Sequence, residues 1–179
     1  MSRAVLSLTV LLGLHGFAVA QSPEMVYPII PNVGGVVPLP NAAEPPRKGA
    51  KVVFDITVAA KPDELNKGLE RVARLINLYG SAGLKASDVT IALVMHGEAT
   101  RSALVHAAYK AKFGAEKNPN LAAIGALRKL GVEVFVCGQA LAYKGFQEAE
   151  VAEEVQVASA ALTVIINKQN DGYAYVPAH

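Results

Sequence analysis

The sequence predicts an α/β fold, a mostly parallel sheet of about five strands with helices on both faces. Three observations predict it. Short apolar runs alternate along the chain with segments whose apolar residues recur at helical spacing. One run, residues 89–95 (VTIALVM), is apolar almost throughout, as a strand covered on both faces must be. Hydrophobic residues make up 52% of the chain, enough to fill such a core even after part is assigned to the N-terminus. Right-handed crossovers between parallel strands then follow.

Taken in order, residues 52–58 (VVFDITV) are the expected first strand. Pro62 follows where a helix can begin, because a proline in the first turn gives up no hydrogen bond. Leu65, Leu69, Val72, Leu75, Ile76 and Tyr79 fall on one helical face, and Gly80 and Gly83 end the helix. Residues 89–95 are the second strand, and a helical segment runs over 99–113. Asn118 reads as an N-cap with Pro119 at the first helical position. Leu121, Ile124, Leu127 and Leu130 make the buried stripe, and Gly131 closes the helix. Residues 132–136 are the third strand, 139–144 a short helix stopped by Gly145, and 155–157 a brief fourth strand. Ser159 caps a helix carrying Leu162, Ile165 and Ile166. Gly172 then turns the chain into a last strand over 173–176. No internal repeat is present.

Two segments precede this domain, which is expected over 50–179. Residues 1–20 have the build of an export signal: Arg3, a short apolar stretch over 4–14, and the small-residue pattern Ala18-Val19-Ala20, with Gln21 as the mature start. The apolar stretch is well short of the roughly 20 residues that span a bilayer. The expectation is therefore a cleaved signal on the general secretory route, a periplasmic or secreted product, and no membrane attachment after cleavage. No cysteine follows the stretch to carry a lipid. Residues 21–49 hold seven of the ten prolines. They read as a Pro-rich flexible arm, mostly disordered and dispensable for the fold. The apolar residues Val26, Tyr27, Ile29, Ile30, Val36 and Val37 leave open that it packs on its own domain or on a neighbouring subunit.

The formal charge of +2 gives no reason to expect nucleic acid or an anionic membrane as partner. No P-loop, GxGxxG, GxSxG, CxxC or HExxH is present, so no cofactor and no metal is expected. His106 falls inside a helix and His179 is the last residue, at separations that do not suggest a zinc site.

Chemistry in parallel sheets collects beyond the carboxyl ends of the strands. Two strands end there in a polar or reactive residue followed by glycine: Met95-His96-Gly97 and Val136-Cys137-Gly138. If the strands are neighbours, His96 and Cys137 face one crevice. Gly97 and Gly138 would let the backbone turn tightly and approach a ligand. Cys137 is the only cysteine, so it makes no internal bridge; it is a buried hydrophobe, an interchain partner, or chemically used. It also precedes a short helix, whose free N–H groups would favour a thiolate. His96 would accept the proton, or else serve as a hydrogen-bonded structural group. Gln139 follows in the same turn, and Arg101 and Lys144 are candidate cationic helpers, or merely solvated. No carboxylate is evidently placed to orient the imidazole, which disfavours a thiol hydrolase.

These pieces together resemble the DsrE/DsrF-like family over roughly residues 51–177. The matching pieces are Val94-Met95-His96-Gly97, Asn120-Leu121 with the helix to Leu130, Gly131-Val132-Glu133-Val134, Val136-Cys137-Gly138-Gln139, Lys144-Gly145, Val157-Ala158-Ser159-Ala160 and Gly172-Tyr173-Ala174-Tyr175. The resemblance implies a three-layer α/β/α sandwich that assembles into homotrimers or homohexamers. It also implies a cysteine at the position of Cys137 that carries sulfur as a persulfide. The partners would be a small sulfur donor or a sulfur-acceptor protein. The leading expectation is an exported sulfur carrier or sulfurtransferase using Cys137 and His96. The rival is a non-catalytic oligomeric protein that binds a small ligand in the same crevice.

Overall fold

A computed structural model describes residues 24–178, so the expected signal and the Gln21 start lie outside the described residues. The strands are β1 (Ala50–Ile56), β2 (Val89–Met95), β3 (Glu133–Cys137), β4 (Gln156–Ala158) and β5 (Ala174–Pro177). They form one sheet in the order β4-β3-β2-β1-β5. Every neighbouring pair is parallel. The helices are α1 (Lys67–Ser81), α2 (His106–Phe113), α3 (Leu121–Lys129), α4 (Gly138–Tyr143) and α5 (Ala161–Asn170).

Successive strand residues point to opposite faces, and the two faces are covered unequally. Phe54, Ile56, Leu93, Met95, Val134 and Val136 pack with α1 and α3 into the main core. Leu69, Val72 and Ile76 of α1 and Ile124 of α3 are at most 1% exposed there. Burial on this scale is worth about 1.5–3 kcal/mol for each such side chain. On the other face Val94 and Cys137 meet Ala161 and Val164 of α5 in a smaller cluster. The result is the three-layer α/β/α sandwich.

Several local expectations shift for identifiable reasons. Helix α1 starts at Lys67 rather than near Pro62, because Asn66 caps it: its Oδ1 accepts from Gly68 N at 2.8 Å. The segment 99–113 is not one helix. A 3-10 stretch, Gly97–Ala103, is followed by α2, and between them Leu104 leaves helical geometry to bridge Val151. Asn118 does not cap α3. Its amide donates to Ser102 O and Leu104 O, and its Oδ1 accepts from Asn120 N and Nδ2. Ser159 does not cap α5, which starts at Ala161 without a side-chain cap. The small residues Ala161 and Val164 face the sheet, whereas Leu162 and Ile166 are 72% and 54% exposed.

The Pro-rich segment departs most from its reading as a flexible tether. Val26 and Val36 pair across an antiparallel bridge. Buried Asn77 of α1 reaches into the loop between them, with Oδ1 accepting from Ile29 N and Ile30 N. Its Nδ2 donates to the carbonyls of Ile30, Val33 and Gly34. Gly34 has φ 65° and lies so close to α1 that a Cβ would come 2.3 Å from Arg74 N. Proline removes regular backbone pairing here, but one amide side chain supplies the missing partners.

Candidate functional site

The register of the sheet assembles the site. Met95 pairs with Val136, so His96 and Cys137 leave β2 and β3 side by side. Adjacent strands run about 4.8 Å apart. Asp55 pairs with Val94, and Val53 with Tyr175. Alternation along each strand then puts Asp55, His96, Cys137 and Tyr175 on the face that α5 covers. Backbone bonds hold the edge: His96 N donates to Ile56 O and Ala178 N to Asp55 O, each at 2.9 Å.

Asp55 is the centre of the polar arrangement. Its Oδ1 lies 2.7 Å from His96 Nε2, and its Oδ2 accepts from the Tyr175 hydroxyl at 2.7 Å. With the carboxylate accepting on both oxygens, Nε2 carries the ring proton and Nδ1 is the basic nitrogen of the neutral imidazole. The hydrogen bond to Asp55 raises the Tyr175 hydroxyl above the ordinary tyrosine value, with burial and the carboxylate charge adding to it. Asp55 is only 7% exposed, so this network is held out of bulk water. Cys137 ends β3 with its Sγ accepting from Ala140 N at 3.4 Å.

The four side chains open onto one cavity of about 550 Å³, completed by Gln139 and by the apolar side chains Leu162 and Ile165 of α5. A volume of this size suits a small organic ligand. A larger hollow of about 780 Å³ lies between residues 37–46 and α1, but among the described residues neither cysteine nor histidine lines it. Among the described residues no group of three or more His, Cys, Asp or Glu could hold a metal ion. None of the described helices is long and apolar enough to cross a membrane.

Residues 51–177 match the model of the DsrE/DsrF-like family. The chain belongs to that family. DsrE/DsrF-like proteins are generally associated with sulfur relay. A solved structure similar to this chain is the "Protein of Unknown Function MTH1491" from Methanobacterium thermoautotrophicum. It is 24% identical over 72% of this chain and 98% of that one, with a TM-score of 0.49. No curated protein matches the chain.

In this DsrE/DsrF-like domain the site brings together three of the residues singled out from sequence: Cys137, His96 and Gln139. The others are engaged elsewhere. Arg101 donates to Ala60 O and lies over the Phe113 ring at 5.1 Å. Lys144 pairs with Glu98 at 2.6 Å, and that bond holds the Glu98 carboxyl below the usual range. Gly97 and Gly138 do not line the cavity. Gly97 takes φ 55° beside Thr57 O, and a Cβ on Gly138 would come 2.8 Å from Ala158 O, so close backbone packing explains that glycine. His106 accepts from Asn118 N through Nδ1 at 3.0 Å. Sequence reasoning missed Asp55 and Tyr175, and with Asp55 the carboxylate that orients the imidazole. The available signal was an aspartate inside the apolar strand Val52-Val53-Phe54-Asp55-Ile56.

Proposed function

We propose that this protein is an exported sulfur carrier that holds sulfane sulfur as a persulfide on Cys137. The observation supporting this reading is that the family's sulfur-relay association coincides with a cavity joining the only cysteine to a histidine already oriented by a carboxylate. Cys137 gives its proton to His96 Nδ1, and Asp55 steadies the imidazolium through Nε2. The thiolate then attacks the outer sulfur of the donor, aided by the Ala140 N–H directed at Sγ; the donor's bond to that sulfur breaks, and the remainder leaves and takes the proton from His96. A carrier needs one cysteine, whereas a disulfide reductase normally needs a second to resolve the mixed disulfide. The partners are a small sulfur donor or a sulfur-acceptor protein, and the assembly is a homotrimer or homohexamer.

Intact-mass measurement after incubation with sulfane donors tests the reading. Native protein gains about 32 Da per sulfur atom retained, and Cys137→Ser gains none. N-terminal sequencing of protein exported by its native host tests the signal; an intact Met1 sinks it. Light scattering giving a monomer at micromolar concentration overturns the assembly.

One observation favours a second reading. Cys137 is only 6% exposed, as suits a binding protein in which the thiol is part of the wall. That reading predicts alkylation only after denaturation and no sulfur adduct from any donor.

A further inference from the structure

The charges around the cavity narrow the class of donor. Among the described residues no lysine or arginine lines it. The nearby cations on the flanking elements are already engaged: Lys168 with Glu133 at 2.5 Å, Lys144 with Glu98, and Arg101 with Ala60 O. The fixed anionic group in the wall is Asp55, and the histidine that would balance it is bound to that same carboxylate. The Asp55–His96 pair therefore carries a net charge of −1 or 0, according to whether the imidazole is neutral or protonated. An anionic group lodged against this wall would find no lysine or arginine of the described residues to pair with.

Size and surface point the same way. About 550 Å³ is far more than two sulfur atoms fill. The rest of the wall is apolar, from Ala160, Ala161, Leu162 and Ile165, with the neutral amides of Gln139 and Gln169 among them. An apolar body gains from burial there, and a neutral amide needs no counter-charge.

We propose that the cavity selects organic persulfides, R–S–SH, whose R group is apolar and uncharged, and discriminates against thiosulfate and against persulfides bearing an anionic R group. This rests on the carrier reading and adds the class of donor to it. The exchange balances without an oxidant. The Cys137 thiol loses its proton to His96, and its sulfur forms a bond to the outer sulfur of R–S–SH. The S–S bond joining R–S to that outer sulfur breaks. The departing R–S⁻ takes the proton from His96, leaving Cys137–S–SH and R–SH.

The test compares freshly generated benzyl persulfide, 2-sulfoethyl persulfide and thiosulfate, with adduct growth on the native protein followed by intact mass. Benzyl persulfide should load Cys137 at least tenfold faster than either anionic donor. Leu162→Arg places a cation in the wall at a residue 72% exposed, where the fold tolerates it. It should narrow the ratio by fivefold or more by speeding the two anionic donors. Loading within twofold for all three donors, or faster loading by an anionic one, overturns the selectivity and leaves the carrier reading standing. Absence of adduct from every donor, with the thiol still alkylated in denatured protein, overturns the carrier reading and the selectivity together.

Discussion

Replacing Asn77 with alanine measures how firmly the Pro-rich segment belongs to the domain. Asn77 is fully buried and makes five hydrogen bonds to the loop of residues 29–34. Three of them, to Ile30 N, Ile30 O and Gly34 O, are buried outright. Each buried bond is worth about 1 kcal/mol net, and a buried partner left unpaired costs about 1–3 kcal/mol. Water reaches the part-buried groups at Ile29 and Val33, which limits the total. A loss of about 3–5 kcal/mol follows for Asn77→Ala, or roughly 8–15 °C in melting midpoint for a domain of this size. Urea unfolding gives the free energy, and amide hydrogen exchange at Ile29 and Ile30 reports the loop directly. Those two amides should exchange much faster in the variant while β2 and β3 stay protected. A change under about 1 kcal/mol with unaltered protection at Ile30 would refute the reasoning. A truncation starting at Gly49 removes the same bonds and uncovers the α1 surface, so it should also be less stable than the protein retaining residues 24–48.

Asp55→Asn keeps an acceptor but removes the charge, so sulfur loading or alkylation of Cys137 should slow by about tenfold or more. The Tyr175 hydroxyl should titrate closer to the ordinary value in an absorbance titration of the same variant; an unchanged Tyr175 would mean that Asp55 does not govern the network. Gly138→Ala places a Cβ 2.8 Å from Ala158 O and should destabilise the protein by about 1–3 kcal/mol, checked by denaturant unfolding. Alkaline pH should unfold the protein from a defined point. Tyr79, Tyr109, Tyr173 and Tyr175 are raised in the folded state, as is Lys168, where burial acts to lower it and the pairing with Glu133 raises it. Groups raised on folding stabilise fully below their unfolded values, about 10 for tyrosine and 10.4 for lysine. The melting midpoint should therefore hold to about pH 10 and fall as pH rises through the folded values; a decline beginning near pH 8 would point to other groups. Lys144→Ala should leave Cys137 reactivity at the native level, because Lys144 pairs with Glu98 outside the cavity wall.

The strands were legible because they depend on local pattern, and the Cys137–His96 juxtaposition was legible only on the condition, met in the structure, that β2 and β3 are neighbours. An apolar run ending in a reactive residue and glycine reads the same before and after folding. Asp55 and Tyr175 were not legible, because their meaning depends on which strands are neighbours. A polar residue within a strand reads as a surface position until β1 is known to lie between β2 and β5. The face of α5 was misread because hydrophobicity points to Leu162 and Ile166, whereas close approach to the sheet selects Ala161 and Val164. In the Pro-rich segment the absence of regular pairing was legible, and its apolar residues left open packing on the domain, but the side chain that anchors it was not legible. Nothing in the local pattern around Asn77 shows that its amide will bind backbone more than 40 residues away.

The strand order has a consequence for how the chain becomes competent. The middle of the sheet, β3-β2-β1, is complete once residue 137 is in place, and it already carries Asp55, His96 and Cys137. Six of the ten residues that wall the cavity, however, lie between positions 160 and 175. A chain emerging from its N-terminus can thus build a stable sheet centre while its thiol still lies open on a bare surface. Only the final ninth or so of the polypeptide roofs that thiol and brings Tyr175 to Asp55. A chain clipped before residue 160 would lack six of the ten residues that wall the cavity and would leave the Cys137 thiol uncovered.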